Sequence, residues 1–288
     1  VSPRVTLKYM PVEEIVIRAN GGRGLRYSTP LVDNIGVFST GKEYVGAYNE
    51  HILEDAWTMG GNITYYMPFG ASANTYLSFD YFRTQFAQQM VVDYEYGMNQ
   101  IHFYALDGNR SYTDNYQIDF SVDPVERFNI TATFRYTDAR IELAGKGLVE
   151  KPMTSRFKGV LNLQYATNLN KWIFDFTASL NGSCRVYNFM ENLNEDGTMT
   201  TKPKEGVARL YKNGRTPVYP LLYAQITRRF KGWDVYLGAE NLTNYTQKNP
   251  IIGSDNPFQP SFDASCVWGP LMGIKAHVGF RFTLWKKG

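Results

Sequence analysis

Several features are scarce in this sequence, and each scarcity excludes something. No run approaches the roughly 20 consecutive apolar residues of a membrane-crossing helix, which excludes a helical membrane protein. Cysteine occurs twice, at Cys184 and Cys266, and histidine three times. That excludes a disulfide scaffold and the paired spacings of a structural zinc site, while a single Cys184 to Cys266 bridge stays open. Charge of one sign is scarce too, because 30 basic residues are interspersed with 27 acidic ones and leave a net charge of +3. Such a balance gives no basic patch, so no nucleic-acid partner is expected. No nucleophile elbow, phosphate loop or metalloprotease helix motif is present, so no enzyme and no cofactor are expected. The residues after Val1 carry no signal-peptide pattern, as expected of a mature or truncated start.

Aromatic residues are abundant, at 15% of the 288 residues with 21 Tyr and 18 Phe, while the mean hydropathy is −0.35. That combination suits strands that are apolar on one face only. Alternation with a period of two recurs along the chain. Ile274, Ala276, Val278, Phe280, Phe282 and Leu284 fall on one face of the last such segment, with Lys275, His277, Arg281 and Thr283 opposite. The same scheme predicts strands over 4–9, 13–20, 57–67, 77–81, 116–122, 128–136, 157–165, 172–180 and 233–239. No stretch reads as an amphipathic helix.

The connections fall into two alternating classes. Short ones are predicted at 10–12, 68–73, 123–127, 167–171 and 231–232, and long ones near 21–55, 83–109, 138–155, 182–217 and 241–271. Strict alternation separates two sides of a membrane, since outer-membrane barrels have short periplasmic turns and long external loops. The expected fold is therefore all-β, a transmembrane antiparallel β-barrel in contact with outer-membrane lipid. Trp172, Trp233, Tyr165 and Phe230 at the short-turn ends would form a periplasmic aromatic girdle. Lipid-facing positions would include Phe128, Ile130, Phe134, Trp172, Phe174, Phe176, Val278, Phe280 and Phe282. Lumen-facing ones would include Gln117, Asp119, Arg135, Lys158, Asn162, Gln164, Asp175, His277 and Arg281. About eleven strands is an odd count, whereas single-chain barrels of bacteria close with even counts. The chain is therefore expected to be the carboxy-terminal part of a barrel of about 22 strands, with its plug domain outside this sequence.

Two blocks carry a family resemblance. Pro3-Arg4-Val5-Thr6-Leu7-Lys8-Tyr9 followed by Gly22-Arg23-Gly24-Leu25-Arg26-Tyr27-Ser28-Thr29-Pro30, and then Glu240-Asn241-Leu242-Thr243-Asn244, resemble blocks in the barrel of TonB-dependent outer-membrane receptors. The wording around 247–252 and 262–270 is most similar to members from Bacteroidota. The sequence departs from the family pattern at 49–55 and at its end, where Leu284 and Trp285-Lys286-Lys287-Gly288 replace the usual terminal aromatic. The resemblance implies active transport. Such receptors bind a scarce small-molecule nutrient at external loops and import it when the TonB complex, powered by the inner-membrane proton gradient, pulls on the plug. A metal complex such as an iron siderophore or haem is the expected cargo. Alternatives are a passive porin, a membrane-barrel enzyme, and a secreted β-sandwich that binds carbohydrate.

Candidate ligand-binding residues lie in the long loops, which vary freely on a rigid scaffold. They are His51, His102 with Tyr104 and Met98 beside it, and Trp268. A histidine in such a loop suits haem or metal, although a solvated loop histidine is the commoner case. Met190 and Met199 with Cys184 would suit a soft metal but form no spacing motif. Asn-x-Ser/Thr triplets at Asn62, Asn129 and Asn241 read as coincidence, because several lie inside predicted strands.

Overall fold

The computed structural model describes residues 1–71, 75–192 and 211–284. Met199 and residues 285–288 lie outside the described residues. Eleven strands form a sequential antiparallel meander: β1 (Arg4–Val12), β2 (Ile15–Tyr27), β4 (Leu53–Tyr66), β5 (Tyr76–Gln88), β8 (Ser111–Val125), β9 (Phe128–Leu143), β11 (Phe157–Ala166), β12 (Trp172–Asn181), β13 (Tyr219–Arg229), β14 (Trp233–Glu240) and β15 (Lys275–Phe282). A short β10 (Gly147–Glu150) pairs back on β9. A separate three-stranded sheet joins β3 (Glu43–Gly46), β7 (Gln100–Ala105) and β6 (Met90–Asp93). Among the described residues β1 and β15 pair on one side only, so the meander is an open sheet with two free edges. A single sheet with every neighbour consecutive in sequence is not a sandwich, and the carbohydrate-binding sandwich alternative falls with that finding.

Register sorts the side chains into two continuous faces. One row runs Tyr9, Ile17, Ile63, Phe79, Ile118, Phe134, Gly159, Leu180 and Pro220 across nine strands. The adjacent row, one residue along and on the opposite face, reads Lys8, Arg18, Asn62, Asp80, Gln117, Arg135 and Lys158. Among the described residues nothing covers the apolar face, with Val278 76% and Phe280 62% exposed. On β9 it runs from Phe128 to Tyr136, about 26 Å at roughly 3.3 Å per residue. A tilted membrane strand needs roughly 9–11 residues, and this segment is of that length.

Both ends of the apolar band are aromatic. Toward the long connections, Tyr81 and Tyr116 pack with centroids 4.9 Å apart, and Tyr116 and Tyr136 follow at 6.3 Å. Toward the short turns, Phe128, Tyr165, Phe174 and Trp172 form a chain of ring contacts, and Phe230, Trp233 and Phe280 form another. Amphipathic rings with one apolar and one wet end favour such a boundary.

The strands extend beyond the sequence expectation on one side. β2, β5 and β9 continue by seven residues and β8 by five toward the long connections, so the loops are shorter than 21–55, 83–109 and 138–155 suggested. In these extensions the outward positions lose their apolar character and carry Arg23–Asp55 (2.6 Å), Arg83–Asp114 (3.1 Å) and Arg140–Asp138 (2.7 Å) instead. Alternation of apolar and polar residues therefore ends where the apolar band ends, although strand pairing does not. The first turn also moves, from 10–12 to Glu13 and Glu14, because a register shift between Tyr9 and Val12 lets the strand run through Pro11.

Candidate functional site

Almost all tightly buried apolar side chains belong to the long connections, which fold together as a cap over one end of the sheet. Ile101 and Phe103 of β7 pack with Val37, Met90 and Tyr94. Val186, Phe189, Met190, Tyr211, Ile252 and Cys266 form a second cluster, with Trp268 against it. Val91 and Leu106 pack on Ile141 and Leu143 of the β9 extension, which joins cap to sheet. Cys184 and Cys266 are both free and buried. Burial raises the Cys266 thiol well above its ordinary value and makes it inert.

Buried ion pairs tie the connections to one another. Lys42 Nζ lies 3.0 Å from Asp263 Oδ2, with both side chains almost fully excluded from solvent. The two charges lie within ion-pair distance, but neither atom makes an aligned hydrogen bond. The Lys42 ammonium instead sits 3.9 Å from the centroid of Phe189, a cation–π contact from a third connection. Backbone bonds from Gly41 to Phe262 and from Ala264 to Ser39 reinforce the junction. Arg185 donates both terminal nitrogens to Glu95 at 2.8 and 2.6 Å. Glu150 receives Arg156 at 2.6 Å and Arg215 at 2.8 Å. Burial pushes the Glu150 carboxyl up, but the hydrogen bonds from Arg215 and Arg156 outweigh it and hold it below the usual range.

Between the cap and the extended strand ends lies a recess of about 300 Å³. Its apolar wall includes Phe86, Met90, Ile141, Leu143, Tyr94 and Tyr187, the last two stacked at 5.0 Å. Burial raises both phenols well above the ordinary range, so they are neutral hydroxyls. The acidic groups of the lining are satisfied from within the chain. Arg26 holds Glu54 at 2.6 Å and Asp33 at 3.3 Å, the Glu95 N–H donates to Asp93, and Arg185 holds Glu95. Lys151, also in the lining, is exposed and makes no side-chain hydrogen bond among the described residues. Crowding by protein still lowers its ammonium pKa, as at the lip of a hollow, while Glu54 opposes the shift.

The residues singled out in the sequence occupy separate settings, and none lines this recess. His51 Nδ1 donates to the Ser28 carbonyl at 2.7 Å and fastens the ends of the first connection. His102 stacks on Tyr96 at 3.6 Å and bonds to Gln100. Tyr104 follows it on β7, and its hydroxyl accepts the Ala144 N–H at 3.1 Å. Trp268 belongs to the second cluster and donates its ring N–H to the Tyr211 hydroxyl. Among the described residues no group of three or more His, Cys, Asp or Glu side chains is arranged to hold a metal ion. Lys42, Asp263, Glu95, Arg185 and Lys151 escaped the sequence reading. Asp263 carried a weak signal, a lone charge in the otherwise uncharged stretch 256–274.

On the sheet, register places Gln117, Asp119, Arg135, Lys158, Asn162, Gln164, Asp175, His277 and Arg281 on one face. Phe128, Ile130, Phe134, Trp172, Phe174, Phe176, Val278, Phe280 and Phe282 lie on the other. Amides and hydroxyls link the polar face. Asn62 donates to Ser78 and Asp80, Thr133 and Gln117 donate to Asp119, Arg135 donates to Gln117, and Gln164 donates to Asp175. Gly279 leaves room for the ring of Tyr236 across the β14–β15 pair, and Gly238 does the same for His277.

An apolar face between aromatic rows, a polar face opposite and a folded cap match known structures. The fold is that of an outer-membrane receptor barrel. A variant of the ferric enterobactin receptor PfeA from Pseudomonas aeruginosa, in complex with enterobactin, aligns over 97% of this chain and 40% of its own, with a TM-score of 0.60 and 12% identity. The ferric-catecholate import receptor Fiu from E. coli aligns over 96% of this chain and 34% of its own, with a TM-score of 0.59 and 14% identity. The ferric citrate transporter FecA gives 97% and 37%, with a TM-score of 0.59 and 15% identity. The chain thus spans two fifths or less of these receptors. No family model and no curated protein matches the sequence.

Proposed function

We propose that this chain forms wall and outer cap of a TonB-dependent outer-membrane receptor that imports a small-molecule nutrient, a metal complex such as an iron siderophore or haem. The observation that carries this reading is the uninterrupted apolar face between two aromatic rows, continuous by register across the meander. Water would penalise such a face, and lipid would not. The polar face then borders the lumen, the aromatic row at Trp172 and Trp233 lies at the periplasmic side, and the long connections are external.

β1 and β15 run in the same direction, because an odd number of antiparallel strands separates them. Antiparallel closure therefore requires an odd number of further strands, which we place, with the plug that would engage TonB, elsewhere in a longer polypeptide. A passive porin is the second reading, and the cap argues against it: connections held by buried ion pairs are unsuited to a permanently open mouth. Import of radiolabelled iron from ferric enterobactin, and of haemin, by cells expressing the full-length protein tests the proposal. Uptake should be abolished by a protonophore. Uptake that ignores the protonophore, or protein released from membranes by salt without detergent, would overturn it.

A further inference from the structure

We propose that Lys42 and Asp263 close an intramolecular isopeptide bond, which ties the first and last long connections of the cap covalently. Nζ lies 3.0 Å from Oδ2, and both side chains are almost fully buried. The amine nitrogen is therefore at most about 4.2 Å from Cγ, since a carbon–oxygen bond spans about 1.2 Å. Backbone bonds on either side hold the two residues in place: the Gly41 N–H donates to the Phe262 carbonyl, the Ala264 N–H to the Ser39 carbonyl, and Asp263 exchanges both of its backbone bonds with Ile252. Such placement acts as a high effective concentration of the amine. The two carboxylate oxygens differ. Oδ1 accepts the Ser265 N–H at 2.8 Å and the Ser265 hydroxyl at 2.6 Å, whereas Oδ2, like Nζ, has no aligned hydrogen bond among the described residues. The rings of Phe189 and Tyr94, with centroids 3.9 and 5.7 Å from Nζ, wall the site. An ion pair buried without aligned bonds recovers little of its desolvation cost. An amide removes both charges.

The step needs no co-reactant. A proton passes from the Nζ ammonium to Oδ2, the amine attacks Cγ, and the C–N bond forms while charge gathers on Oδ1, where the two Ser265 donors stabilise it. Nζ then gives a second proton to the Oδ2 hydroxyl, the Cγ–Oδ2 bond breaks, and water leaves. Ammonium and carboxylate enter, and one amide and one water result. Only the folded cap brings these groups together, so the ion pair is the first folded state and the isopeptide is its product.

The inference needs only the folded cap and stands apart from the receptor reading above. Mass spectrometry of tryptic peptides from the full-length protein, purified folded in detergent and then denatured for digestion, tests it. Residues 27–83 and 249–275 should appear as one branched peptide joined through Lys42, where trypsin no longer cuts, with a mass one water short of the two peptides together. Unfolded chains recovered from inclusion bodies should instead be cut after Lys42 and should release 249–275 unbranched. Lys42→Arg keeps a positive charge at the site without an amine that can form the amide, and should also release 249–275 unbranched. Cleavage after Lys42 throughout the folded wild-type protein would overturn the inference. So would a branched peptide in Lys42→Arg, or one whose fragment ions place the bond at a residue other than Asp263.

Discussion

The cap and the sheet of this molecule solve opposite problems with the same residue types. In the cap, apolar side chains point toward one another and charges are paired out of water, as in a soluble domain. In the sheet the largest apolar side chains share one exposed face that no other described residues cover, while cohesion comes from the backbone ladder and a lattice of amides and hydroxyls. Hydrophobic burial within the chain therefore stabilises the cap, whereas the sheet depends on what surrounds it. The two regions should respond to different perturbations.

The largest effect is expected at the buried ion pair. Lys42→Met leaves Asp263 as a buried, uncompensated charge and should cost about 3–5 kcal/mol, whereas Lys42→Met combined with Asp263→Leu should recover most of that loss. Hydrogen exchange would show protection falling across residues 28–52 and 243–274 with the β8–β9 ladder unchanged. Loss of protection throughout the sheet would mean that cap and sheet are one cooperative unit.

A charge on the outer face should act on the sheet alone. Ala132→Arg at the middle of the band is expected to cost about 2–4 kcal/mol in phospholipid vesicles, measured by urea-dependent folding. Thr133→Arg on the opposite face should have a much smaller effect. Equal costs at the two positions would contradict a lipid-facing assignment of the apolar face.

The smallest expected effect is that of acid on Glu150. Its folded carboxyl lies below its ordinary value of 4.5. It therefore contributes stability that is fully present above that value and fades as pH falls through the folded one. Cap connections joined by Glu150 should gain protease sensitivity in this range before any change in strand content by circular dichroism, and Glu150→Gln should remove that pH dependence.

The sheet was legible in the sequence because each of its constraints is local. Alternation from Phe128 to Tyr136 names the face, and the lengths of neighbouring connections name the end. Where alternation stopped, legibility stopped as well: Thr137 to Leu143 continues β9, but its outward Asp138 and Arg140 carry no apolar signal. β13 was not singled out, since Pro220 is its second residue and Leu221 breaks the alternation against Leu222. The cap was not legible. Lys42 and Asp263, or Glu95 and Arg185, gain their meaning only from a contact between distant loops, and no period or spacing in the chain encodes that partnership. The named histidines stood out by residue type, whereas Lys151 is one lysine among many until the recess gives it a setting.

The junction of Lys42 with Asp263 has a kinetic consequence. It joins the connection between β2 and β4 to the connection between β14 and β15, so the first and last long connections of the meander meet at the cap. Neighbouring strands can zip as soon as each hairpin exists, at the low entropic cost of short loops. The junction must wait for nearly the whole chain, and contacts of such long range form late and slowly. Folding should therefore end at the cap, with the last long connection captured by the first.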